Sequence, residues 1–115
     1  MKFSRAVLHR ANALKNAYSQ LFPGTDTLHS ISFVDTAWEM WSDMQIDAPE
    51  KADKWLDIAT EQEGKLRKRG ILNDSEAIAY MDRVEPIFKQ YLIQYKAMLE
   101  RHQDEIDRML HDFRP

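Results

Sequence analysis

The chain contains no cysteine, and it has only three glycines and four prolines among its 115 residues. Without thiols there is no disulfide framework, no thiolate for zinc, no thiol nucleophile and no redox switch. So few glycines leave no place for a loop whose backbone cradles phosphate. Neither Gly-x-Gly-x-x-Gly nor a Gly-Lys-Ser/Thr loop occurs. Gly-x-Ser-x-Gly, His-Glu-x-x-His and the Glu-x-x-His of di-iron bundles are also missing. No run approaches the roughly 20 apolar residues that cross a bilayer. The first ten residues, with Lys2, Arg5 and Arg10, are too broken by charge for a signal-peptide core. The net charge of −3 is too small for a general nucleic-acid coat or an acidic tail. These absences point to a cytoplasmic protein that uses no cofactor, metal or membrane and does no chemistry.

What is present is ordinary globular material. The chain is 43% hydrophobic and 30% charged, too rich in large apolar residues for a disordered chain. Its length suits one domain, residues 1–115, with a single core.

Apolar periodicity predicts an all-α protein, a four- or five-helix bundle with a long C-terminal helix. Val7, Leu8, Ala11, Leu14, Tyr18 and Leu21 predict a first helix over 4–21, capped by Ser4 and ended by the turn from Phe22 to Asp26. Ser32 and Asp35 have capping-box spacing, which starts a second helix near 31 and carries it to 45. Its apolar face, including Phe33, Trp38, Trp41 and Met44, fills about half the circumference, so this helix is expected at the centre with both tryptophans largely buried. Asp47-Ala48-Pro49-Glu50 reads as a cap followed by a first-turn proline, opening a third helix over 48–69 with Gly70 just past its end. Gly64 lies within it as a weak point. Asn73 and Glu76 start a fourth helix over 74–84, and Pro86 is expected to break or kink the chain before a fifth at 87–112.

Few residues invite a functional reading. His102 is the one polar group centred on the apolar arc of the last helix. It is expected as a core histidine hydrogen-bonded to a tyrosine hydroxyl or a carbonyl, the alternative being a pH-sensitive or ligand-touching group. His111 lines up with Glu100, Asp104 and Asp107 on one polar ridge, which reads as a solvated face and not a metal site. Lys65, Arg67, Lys68 and Arg69 put four cations into five residues, a candidate phosphate contact for nucleic acid. The same cations complement the end of a helix dipole, and no aromatic residue interleaves with them for base stacking. The tryptophans, with Phe33 and Met44, read as core before they read as a ligand pocket.

The candidate partner surface is on the last helix. Ile93 and Ala97 form a second apolar strip on its polar side. Ile106, Met109, Leu110 and Phe113 lie at an end expected to project beyond the shorter helices. Such a patch calls for a cover. A second copy of the same helix in a homodimer would supply it, unless the first helix folds back over that end. The functional expectation is therefore a non-enzymatic protein-binding module of the adaptor, chaperone, immunity, antitoxin or phage-inhibitor kind. Its partner is another protein. Nucleic-acid association through the Lys65–Arg69 cluster ranks second, and a small-molecule-binding bundle third.

Overall fold

The computed structural model describes residues 1–22 and 25–112, and every regular element among them is helical. In chain order these are α1 (Arg5–Tyr18), α2 (Asp26–Met44), α3 (Pro49–Lys68) and α4 (Asp74–Asp112).

The ends of these helices follow from local chemistry. The Ser4 hydroxyl accepts from the Val7 amide at 3.3 Å and caps α1. At the start of α4 the Asn73 side chain accepts from the Glu76 amide at 3.0 Å, while Asp74 accepts from the Ser4 amide at 2.9 Å and ties the two starts together. The end of α3 is a Schellman turn. Gly70 takes φ +70, its amide reaches the Arg67 carbonyl, and the Ile71 amide returns to the Leu66 carbonyl. Ile71 and Leu66 are both buried, so the turn also closes an apolar contact.

The structure corrects several boundaries. Helix α1 stops at Tyr18, three residues short of the expectation. Helix α2 starts at Asp26, a turn and a half before the Ser32–Asp35 pair. Ser32 is not a cap: its hydroxyl donates to the His29 carbonyl within the helix. Asp35 is buried and accepts from the Phe3 amide at 2.7 Å. At α3 the capping position belongs to Ala48, which offers no side-chain acceptor, and Pro49 opens the helix one residue later than expected.

The largest correction is at Pro86, where the expected break does not occur. Helix α4 runs through it for 39 residues, about 58 Å at 1.5 Å per residue. Proline costs the helix the amide that would reach the Asp82 carbonyl. Pro86 is exposed, on the side of α4 away from its apolar arc, so the freed carbonyl has water as a partner. Among the described residues the bundle therefore has four helices.

Helix α2 is central as expected, with Leu28, Ile31, Val34 and Ala37 fully buried between α1 and α3. Ala37, Ala52 and Ala59 are small and buried, which lets α2 and α3 approach closely. Ser30 donates across that contact to Gln62 at 2.6 Å. The first half of α4 closes the core through Ala77, Tyr80 and Met81. It is held to α1 by Arg10, whose guanidinium lies 2.8 Å from both Asp82 and Glu85. Tyr18 and Phe22 stack on Phe88 at 5.2 and 5.5 Å. Leu92 is the last α4 residue packed against this core.

Candidate docking surface

Beyond Leu92, helix α4 leaves the bundle. From Ile93 to Asp112 every residue is exposed except Ile106, which is partly buried. This twenty-residue arm extends about 30 Å into solvent. It accounts for the molecule's extents of 74 × 32 × 22 Å and its radius of gyration of 20.4 Å, against about 13 Å for a compact chain of this length.

The arm is amphipathic. Tyr95, Met98, Leu99, Met109 and Leu110 stand half in water, Met109 and Leu110 at 60%, and Ile106 lies on the same side. Of the residues expected at a partner surface, Ile106, Met109 and Leu110 are thus together on one face of an uncovered helix, and Phe113 lies outside the described residues. Ile93, at 63% exposure, and Ala97 are also exposed, but on the opposite side, so they do not join the same surface. Helix α1 does not fold back over the end. Its C-terminal turn and Phe22 pack against Phe88 and Tyr91.

His102 is a correction. It is exposed on the arm, not a core histidine, because the bundle ends ten residues before it. With Met98, Arg101 and Glu105 it lines a hollow of about 220 Å³. His111, Glu100, Asp104 and Asp107 are all exposed along the arm. No group of three potential metal-ligating His, Asp or Glu residues gathers among the described residues.

Lys65, Arg67, Lys68 and Arg69 are exposed at the C-terminal end of α3. Lys65 pairs with Glu61 at 3.5 Å and Arg67 with Glu63 at 3.3 Å. Lys65, Lys68 and Arg69 border a hollow of about 210 Å³ with Thr27 and Ser30 of α2, and Asp26 contributes a carboxylate to the same rim.

The aromatic residues of α2 are only partly buried, another departure from expectation. Trp38 and Trp41 meet edge to face at 5.5 Å, while Phe33 contacts Trp55 at 5.9 Å. Trp41 borders one hollow with Gln45 and Pro49, and Trp38 another with Asp35 and Glu39. The wide apolar face of α2 is therefore covered by α1 and α3 in its first half and left at the bundle's edge in its second.

Sequence reasoning missed the role of Asp35. Its carboxylate accepts the Phe3 amide through Oδ2, while Oδ1 and the neighbouring Trp38 Nε1 are buried without a partner among the described residues. Burial raises the Asp35 pKa, and the Phe3 amide opposes the shift. Glu85 is displaced the other way: its hydrogen bond from Arg10 holds it below the usual carboxylate range. No sequence spacing links Asp35 to Phe3 or Glu85 to Arg10, since each pair spans separate segments.

Among the described residues no helix is long and apolar enough to cross a membrane. Comparison with protein-family models, with characterised proteins and with solved structures gave no match.

Proposed function

We propose that this chain is a non-enzymatic protein-docking module: the bundle is a rigid support, and the arm of α4 is the element that meets a partner. The observation that carries this reading is the half-exposed stripe Tyr95, Met98, Leu99, Met109 and Leu110 on a helix with no neighbour. A lone amphipathic helix in water gains nothing from its apolar face, and helix stability in proteins comes mostly from packing that face. Laying such a face against a complementary one is a common mode of protein recognition.

The test is a comparison of two variants in the native lysate. Leu99→Glu with Leu110→Glu charges the stripe without touching the core. Replacing Lys65, Arg67, Lys68 and Arg69 by glutamine removes the cationic cluster instead. Proteins retained by the wild type and the glutamine variant, but lost from the stripe variant, are the expected result. Identical retention by all three would overturn the reading.

The basic cluster supports a second reading, contact with a nucleic-acid phosphate, because three of its cations border one hollow at the start of α2. Two of the four already answer glutamates, and Asp26 lies on the rim, which ranks it below docking through the arm. Its signature would be DNA or RNA affinity falling steeply with salt and abolished by the glutamine variant.

A further inference from the structure

We propose that the arm's partner is a second copy of this chain, paired antiparallel about a twofold axis near Glu100. This rests on the docking reading and names the occupant of the same surface.

The first argument is continuity. At about 100° per residue, Ala77, Met81, Val84, Phe88 and Leu92 share one arc of α4, all packed in or against the core. Tyr95, Leu99, His102, Ile106 and Leu110 continue that arc along the arm. One seam thus covers α1 in its first half and meets nothing in its second. From Met81 the apolar steps alternate three and four residues through Val84, Phe88, Tyr91, Tyr95 and Met98, the spacing of helices that pair side by side.

The second argument is charge. Beside the seam, one edge of α4 carries Lys89, already paired with Glu85 at 3.4 Å, and then along the arm Lys96 and, toward its tip, Asp107. The other edge carries Arg101 near the middle of the arm, then Glu105 and Asp112. A parallel pair sets one edge of each helix against the opposite edge of the other at equal height. Asp107 would then face Glu105 and Asp112 of the second copy, three carboxylates together. An antiparallel pair sets each edge against itself in reverse, so Lys96 of each chain meets Asp107 of the other, twice over, against a single like-charge approach of Arg101 to its counterpart near the axis. A parallel pair would instead set Arg101 against Lys96 on both sides. Like charges brought together at an interface are penalised, and opposite ones fix orientation.

The third argument is fit. An axis near Glu100 stacks Met98 on His102 of the second copy, Tyr95 on its Ile106 and Tyr91 on its Met109, with Leu99 close to its own counterpart. The tip of each arm ends at the base of the other, where Phe22 lies edge-on to Tyr91 at 5.6 Å. Six half-exposed apolar side chains, with on the order of 100 Å² each still in water, offer roughly 600 Å² per chain, approaching the roughly 800 Å² of a stable interface once Ile106 is added.

Sedimentation equilibrium on the full chain at tens of micromolar is the test. A species of twice 13.6 kDa is expected. Leu99→Glu, half-exposed and far from the core, should weaken association roughly a hundredfold, because two leucine side chains leave the interface, with the helix content unchanged. Lys96→Glu should weaken it about two- to tenfold, and adding Asp107→Lys should recover most of that loss. In a parallel dimer Lys96→Glu would do no harm, since no carboxylate faces it. The absence of cysteine makes His111→Cys a unique labelling site. Paired spin labels there, on the outer face of each arm, should stand about 40 Å apart if the arms are antiparallel, with an axial offset of about 33 Å, and about 25 Å apart with no offset if they are parallel.

A wild type that stays at 13.6 kDa, a label separation near the shorter distance, or Lys96→Glu without effect would overturn the proposal. If the wild type is monomeric yet retains another protein through the stripe, self-pairing fails while the docking reading stands. If neither association depends on the stripe, both fail.

Discussion

Helix α4 is two structures in one. From Asp74 to Leu92 its apolar arc lies against α1 and the core. From Ile93 to Asp112 the same arc, with the same kinds of residue at the same spacing, stands in solvent. Met81 and Met98 make the difference concrete: Met81 is 0% exposed and Met98 is 48% exposed, yet both sit in equivalent runs of the same helix. Nothing in their local sequence separates them. The other helices run out: α1 and the residues after it end near Phe88 and Tyr91, and α4 continues for five more turns.

The sharpest way to break this comparison is to truncate that matched pair. Met81→Ala should cost about 2–5 kcal/mol, the range for emptying a packed site. Met98→Ala in the monomer should stay within about 0.5 kcal/mol, as for surface positions. Urea denaturation of each variant, made monomeric by Leu99→Glu, measures both. Equal costs would mean that the arm packs on something within its own chain.

The junction between the halves is next. Pro86→Ala should restore the amide that Asp82's carbonyl lacks and stabilise the protein by about 1–3 kcal/mol, since proline's penalty within a helix is about 3 kcal/mol. A thermal melt checks it. No gain would mean that the helix has already relaxed around the proline, and that the arm's direction depends on it.

A smaller effect tests whether the head is as tightly filled as its core implies. A Cβ built on Gly64 would meet nothing within 4 Å, so Gly64→Ala should gain about 1 kcal/mol from helix propensity alone. Chemical denaturation reads it, and a loss instead of a gain would reveal a close neighbour of α3 in an assembled form.

The smallest expected effect concerns the clamp that fastens α4 to α1. Arg10→Met should lose about 0.5–1 kcal/mol, the range for a solvent-screened ion pair. Glu85 is held below its ordinary pKa by Arg10, so its contribution is complete above the unfolded glutamate value of about 4.3. It fades as pH falls through the lower folded value. The gap between wild type and variant should therefore be constant near neutrality and close in acid. A gap that persists at pH 2 would assign the loss to the packing of the arginine stem.

Much of the head is legible along the chain. Ser4, Asn73 and Gly70 act within one turn of themselves, and their roles at helix ends follow from spacing alone. The start of α2 was not legible, because Thr27, Leu28, His29 and Ser30 show no clear apolar stripe. They are helical because Thr27, Leu28 and Ser30 are buried against neighbouring segments. Pro86 misled for the opposite reason: a breaker on the wet side of a helix costs one hydrogen bond and no packing.

The candidate surface divides in the same way. Helical content, the amphipathic stripe of the last helix and the absence of the common catalytic and phosphate-binding motifs are properties of residue type and spacing, and the sequence by itself determined them. Which part of that stripe is core and which is free depends on where three other helices end in space, and only the tertiary structure decided it. His102 and Met98 look like core residues in sequence because a buried helix and an unpartnered one carry the same periodicity. Burial is a relation between distant segments, and periodicity records only the face that wants to be buried.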